Sequence, residues 1–205
     1  MTKVKICGLK ELEHVEAAVN AGADFIGFMF APSKRRITVE QAKELAKAIP
    51  STVKKVGVFV NEAPETIQAI AAQVGLDYIQ YHGDETAEQI QAIGLPAIKA
   101  FSIRSEEDVM RAASYDVDYY LFDAPGSDFR GGSGKSFDWM LLDEMNIPLE
   151  KVILAGGLNE ENVALAIILV EPFAVDVSSG VEIDGRKNTD AIVGFIEKVK
   201  GELIL

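Results

Sequence analysis

Eight short apolar runs alternating with eight amphipathic stretches predict an α/β fold, a single (β/α)8 TIM barrel spanning residues 1–205. Strands joined through helices run parallel, because right-handed crossovers give parallel neighbours. The turn after the first strand reads Cys7-Gly8-Leu9-Lys10, without the G-x-G-x-x-G that an open dinucleotide-binding sheet would place there. The glycine-rich loops instead come late in the chain, where barrels tend to hold phosphate.

The strands are expected at Lys3–Cys7, Asp24–Phe30, Lys55–Val60, Tyr78–Tyr81, Ala97–Phe101, Tyr119–Asp123, Lys151–Leu154 and Phe173–Val177. Between them, helices are expected at Leu9–Ala21, Thr38–Ile49, Pro64–Val74, Asp84–Ile93, Ser105–Tyr115, Phe137–Met145, Asn159–Val170 and Asn188–Glu202. Leu12, Val15, Ala18 and Val19 share one helical face, as do Ala42, Leu45, Ala46 and Ile49. Thr38 with Gln41 reads as a capping box, Ser105 with Asp108 as a second cap, and Pro64 suits a first helical position. Gly22, Gly75 and Gly94 stand where helices end in a left-handed residue. A weak internal echo supports a repeated module: Gly22-Ala23-Asp24 and Gly75-Leu76-Asp77 each lead into a strand, and Asp118 repeats the last step. The stretch from Ala124 to Ser136 is the one long irregular segment, and its Arg130–Lys135 part reads as a flexible lid.

Composition narrows the function. The net charge of −12, from 32 acidic and 20 basic residues, argues against nucleic acid or an anionic membrane as partner. One cysteine excludes an internal disulfide. The longest apolar run, Val163–Val170, is far shorter than the ~20 residues that span a bilayer. A cytoplasmic protein is expected, monomer or homodimer, acting on a small phosphorylated molecule.

In a barrel the site lies at the C-terminal ends of the strands. Val4 and Ile6 suit packing against helices, so Lys3, Lys5 and Cys7 should point inward. By the same alternation Asp123 shares a side with Tyr119 and Leu121. The first and sixth strands are three apart around a ring of eight, so Cys7 and Asp123 should face each other across the mouth. A thiol and a carboxylate so placed suit base and acid work. Burial would raise the Asp123 carboxyl, and Lys5 is positioned to lower the Cys7 thiol. Equally, Cys7 fits a small buried apolar residue and Asp123 a loop cap. Gly156-Gly157 and Ser178-Ser179-Gly180 follow the last two strands and suit a phosphate; as plain turns they would need no ligand. Arg35 or Arg36 could grip a carboxylate. The two histidines, His14 and His82, form no metal cluster, so neither metal nor cofactor is expected. His82 either touches substrate or hydrogen-bonds within the mouth.

Several segments together resemble the phosphoribosylanthranilate isomerases of tryptophan biosynthesis. They are Lys5-Ile6-Cys7-Gly8, Pro32-Ser33-Lys34-Arg35, Val56–Asn61, Gln80-Tyr81-His82-Gly83, Gly131–Lys135, Ala155-Gly156-Gly157-Leu158 and Asp176–Glu182. The likeness covers nearly the whole chain in order. It implies a (β/α)8 barrel that performs a cofactor-free Amadori rearrangement. Cys7 then matches the general base, Asp123 the general acid and Arg35 the holder of the anthranilate carboxylate. Gly156, Gly157, Ser178, Ser179 and Gly180 match the phosphate loops, and Asp176 and His82 fall among the substrate-binding positions. The rival readings are another phosphosugar isomerase or epimerase barrel, or a phosphosugar-binding barrel without activity.

Overall fold

The computed structural model describes residues 1–124, 138–142 and 146–201. Strands β1 (Lys3–Cys7), β2 (Phe25–Met29), β3 (Lys54–Phe59), β4 (Tyr78–Tyr81), β5 (Ala97–Ser102), β6 (Tyr119–Asp123), β7 (Val152–Leu154) and β8 (Ala174–Val177) form a closed parallel barrel in sequence order. The ring closes where β8 pairs with β1, Lys5 opposite Asp176. Helices α1 (Leu12–Ala21), α2 (Val39–Ala46), α3 (Pro64–Val74), α4 (Ala87–Gln91), α5 (Glu106–Ala112), α6 (Val163–Val170) and α7 (Thr189–Gly201) surround it.

Two-residue alternation splits the apolar side chains into two cores. Val4, Ile6, Tyr120 and Phe122 join the layer between sheet and helices. Val56, Ile98, Leu121 and Ile153 fill the barrel interior. Below them Phe25, Tyr78, Tyr119 and Phe173 form an aromatic plug, with Tyr119 and Phe173 stacked at 4.6 Å. Each plug residue comes from an even-numbered strand or its entry, the alternate-strand layering that fills such barrels.

The repeated aspartate has one repeated job. Asp24 accepts from the Val4 N–H (2.9 Å), Asp77 from Lys55 N–H (2.8 Å) and Asp118 from Ala97 N–H (2.8 Å). Each stands just before an even strand and ties it to the foot of the preceding odd strand. Lys3, expected to point inward, instead reaches out at the lower rim to Asp24 Oδ1 at 2.9 Å. Lys200 of α7 donates to the same carboxylate at 2.6 Å, so the last helix is fastened to the first strand pair.

The expected caps are partly met. Thr38–Gln41 forms a full capping box, Pro64 opens α3, and Gly22 and Gly75 end their helices in left-handed geometry. A second capping box, Thr86–Gln89, escaped the sequence reading. Ser105 makes no side-chain cap; Asp108 accepts from the Arg104 N–H instead. Helices α1, α4 and α6 start three or four residues later than expected. Leu9 is buried in the turn before α1, and Asn159 and Asn162 bond each other in a turn before α6. Of the helix expected over 137–145, the described part, Trp139–Leu142, is a 3-10 turn. The Arg130–Lys135 lid lies outside the described residues.

Burial raises the Asp24 carboxyl, but the bonds from Lys200, Lys3 and the Val4 N–H outweigh it and leave it below the ordinary value. Its stabilisation is therefore present above the ordinary carboxylate range and lost as pH falls through the folded value. Asp24→Asn should cost roughly 1 kcal/mol at pH 7 once solvent screening is allowed for. The gap between variant and wild type in urea unfolding should close below about pH 4. A gap unchanged at pH 3 would exclude this role.

Candidate active site

The mouth is built in alternating layers. Strand alternation turns Gln80 of β4 and Asp176 of β8 into the barrel, and both are buried. Two residues further on, at the strand ends or just past them, stand His82, Asp123 and Ser178. Cys7 ends β1 between these levels and is buried.

Gly27 makes room for the thiol. A Cβ there would lie 2.8 Å from Cys7 Sγ and 3.2 Å from Lys5 Nζ. The sulfur and the ammonium thus share one small space that only a missing side chain leaves open. Lys5 is fully buried and donates to Asp176 Oδ1 at 2.9 Å across the closing seam. Burial works against its charge, yet Asp176 and Cys7 hold its pKa above the usual lysine value.

Lys5 pulls the thiol down as expected, but the net shift is upward. Burial pushes the Cys7 thiol up, and this outweighs the downward pull of Lys5 and Lys187. Asp176 adds to the upward shift. Cys7 is thus held as a neutral thiol, flanked by cations that favour its thiolate.

Asp123 ends β6 and is buried. His82 Nε2 stands 3.5 Å from its Oδ2. The other ring nitrogen, Nδ1, faces Gln80 Nε2 at 3.0 Å. The ring thus bridges the Gln80 amide on one side and the Asp123 carboxyl on the other.

The last two loops abut. Gly156 and Gly157 adopt φ of 88° and 66°, and Asn162 Nδ2 donates to the Gly157 carbonyl at 3.0 Å. Ser179–Val181 form a 3-10 turn, and a Cβ on Gly180 would run into the Leu158 carbonyl. Ser178 Oγ donates to the Cys7 carbonyl at 3.2 Å, linking this loop to β1.

The family profile described as N-(5'-phosphoribosyl)anthranilate (PRA) isomerase matches residues 4–198. A protein of that name from Bacillus mycoides (strain KBAB4) is 52% identical over 199 residues, 97% of this chain and 98% of its own. The crystal structure of the Thermotoga maritima phosphoribosyl anthranilate isomerase superposes with a TM-score of 0.89 at 44% identity, over 98% of this chain and all of that one. A phosphoribosyl anthranilate isomerase complexed with reduced 1-(o-carboxyphenylamino)-1-deoxyribulose 5-phosphate gives 0.86 at 42%, with the same coverage. The chain belongs to the phosphoribosylanthranilate isomerase family.

The site residues expected from the sequence lie at the strand ends or in the loops above them, except Asp176 inside the barrel, and the pairings of Asp176 and Arg35 are among those the sequence did not reveal. Asp176, expected to bind substrate, is engaged by Lys5. Arg35 is paired with Glu182 through Nε, whereas Arg36 is exposed and bridges Met29 through its backbone. Lys187 was missed altogether. Its side chain is 6% exposed, donates to the Ser178 carbonyl at 2.7 Å and stands 3.4 Å from Glu182. Burial draws it down to about 8, against the pull of Glu182 and Cys7. Its only sequence signal was the Asp184-Gly185 pair, a hairpin signature that returns the chain to the mouth.

Cys7 is the sole cysteine, so alkylation reports on it alone. Iodoacetamide should react slowly at pH 7, with a rate rising through a midpoint above that of an exposed thiol. Full reaction at neutral pH with no pH dependence would contradict the buried neutral thiol. Gly27→Ala should displace the sulfur and cut kcat by about 10²-fold or more while the far-UV spectrum stays native; unchanged kcat would show that the space is not needed.

Proposed function

We propose that this chain converts N-(5-phosphoribosyl)anthranilate to 1-(2-carboxyphenylamino)-1-deoxyribulose 5-phosphate, with Cys7 as general base and Asp123 as general acid. The observation that carries the reading is the placement of one thiol and one carboxyl at the ends of β1 and β6, in a chain about half identical to isomerases of that name over nearly its whole length. Residues 1–205 then form one functional unit. We place it in the cytoplasm, as monomer or homodimer.

Asp123 gives its proton to the ribose ring oxygen, and the C1–O bond breaks to leave an iminium. Cys7, having given its thiol proton to solvent, takes the proton from C2 as thiolate, and the electron pair moves into the C1–C2 bond as the iminium is neutralised. The resulting enolamine gains a proton at C1 as its C2 hydroxyl loses one, giving the ketone. The iminium serves as electron sink, so these two residues suffice for the proton transfers. His82 donates to the Asp123 carboxylate formed in the first step, which stabilises the developing charge.

Arg35 holds the anthranilate carboxylate, with His82 beside it. Gly156, Gly157, Ser178, Ser179 and Gly180 hold the phosphate. Gripping both ends places C2 near the thiol. Lys5 and Lys187 supply the field that keeps a thiolate within reach at neutral pH. Asp176 acts through Lys5.

Loss of substrate fluorescence measures turnover. Cys7→Ala and Asp123→Asn should each lower kcat by roughly 10²–10⁴-fold while still binding a reduced product analogue. Near-normal kcat in either variant removes that residue's role, and no turnover by the wild type removes the function.

A further inference from the structure

We propose that Glu182 is the positioning residue of the carboxylate grip: it holds Arg35 through Nε and leaves the two terminal guanidinium nitrogens for the substrate. The inference rests on the reading of Arg35 given above.

The local chain explains the placement. After β8 the backbone turns into a two-stranded hairpin, β9 (Glu182–Ile183) and β10 (Arg186–Lys187). Asp184 and Gly185 form its turn, with φ of 52° and 76°, the left-handed pair that a two-residue hairpin requires. Glu182 and Lys187 are cross-strand partners, so their side chains emerge together. Gly8, beside Cys7, leaves the space in which the Arg35 methylenes lie; a Cβ there would be 2.7 Å from Arg35 Cδ. Arg35 is thereby set between the loop that carries the thiol and the hairpin that carries Glu182.

The contact pattern is that of an oriented group. The Glu182 side chain is 5% exposed and meets three cations: Arg35 Nε, Lys34 Nζ at 2.9 Å and Lys187 Nζ at 3.4 Å. Burial raises its carboxyl, but the bonds from Arg35 and Lys34 hold it down at about 2, so it is ionised throughout the working range. A pair formed for stability alone would favour the bidentate fork of the guanidinium. Here the carboxylate takes Nε, and among the described residues neither terminal nitrogen of Arg35 has a hydrogen-bond partner. Three cations on one carboxylate also leave a positive surplus. A cavity of about 480 Å³ opens beside Arg35, Glu182, Lys187 and Gly8, with Lys10, Arg186 and the carboxylate of Glu11 also on its wall. A second carboxylate can enter there without expelling the first.

The test compares two substrates, phosphoribosylanthranilate and its carboxylate-free analogue phosphoribosylaniline. Glu182→Gln should raise KM for phosphoribosylanthranilate about 10- to 100-fold and KM for the aniline analogue far less. In an Arg35→Ala background the same substitution should add nothing to KM. Glu182→Asp keeps the charge but withdraws the oxygens, and should give an intermediate KM; it stands in if Glu182→Gln does not fold. An unaltered KM overturns the proposal, as does an equal loss with both substrates or in the Arg35→Ala background. Arg35→Ala alone tests the underlying reading: if it leaves the preference for phosphoribosylanthranilate over the aniline analogue intact, Arg35 does not bind the carboxylate. If it abolishes that preference while Glu182→Gln has no effect, only the proposal for Glu182 fails.

Discussion

The barrel closes on a buried ion pair. Lys5 of β1 and Asp176 of β8 face each other across the seam at 2.9 Å, with the Lys5 side chain wholly removed from water. Removing one member would leave an uncompensated buried charge, which typically costs 3–5 kcal/mol. The pair is weak evidence for stability as such, since an apolar pair of similar volume can do as well. What an apolar pair cannot do is place an ammonium beside the one thiol. Gly27 gives up its side chain so that Sγ and Nζ can share that space. Seam, charge and thiol form one construction, and the chemistry assigned to Cys7 depends on all three.

That construction sets opposing forces on the thiol. Burial favours SH; Lys5 and Lys187 favour S⁻. Burial wins. A base that is neutral at rest and flanked by two ammonium groups gains most when its proton acceptor is needed, because the thiolate then forms next to charges already in place. Lys187 differs from Lys5 in its partner. Lys5 has a carboxylate of its own, while Lys187 shares Glu182 with Arg35 and Lys34.

Local signals carried the fold. Apolar alternation placed Val4 and Ile6 outward and set Leu121 on one side with Tyr119, and the structure agrees. The Gly-x-Asp punctuation proved more informative than it looked, since Asp24, Asp77 and Asp118 each bond the foot of the preceding strand. Such features lie within about two dozen residues of each other and follow from backbone geometry. Partner identity was not legible in the same way. Lys5 and Asp176 are separated by 171 residues, Arg35 and Glu182 by 147. No spacing rule connects positions so distant; only the closed ring brings them together. Helix starts failed for a related reason. Leu9 fits an apolar helical face, but its burial is met from a turn.

The same distinction bears on charge. A net charge of −12 should repel a substrate that carries both a phosphate and a carboxylate. The mouth escapes this average through unequal pairing. On the β1–β8 seam one cation meets one carboxylate and the charge is balanced. On the hairpin side Arg35, Lys34 and Lys187 meet Glu182 alone among the described carboxylates. The excess positive charge is therefore confined to one flank, beside the thiol and under the loop that carries Arg35. On the binding roles proposed above, an anionic ring would be drawn to that flank and the remainder of the substrate would extend toward Gly156, Gly157 and the Ser178–Gly180 turn. Orientation thus comes from where the pairing is incomplete, a property of the folded ring that the overall composition hides.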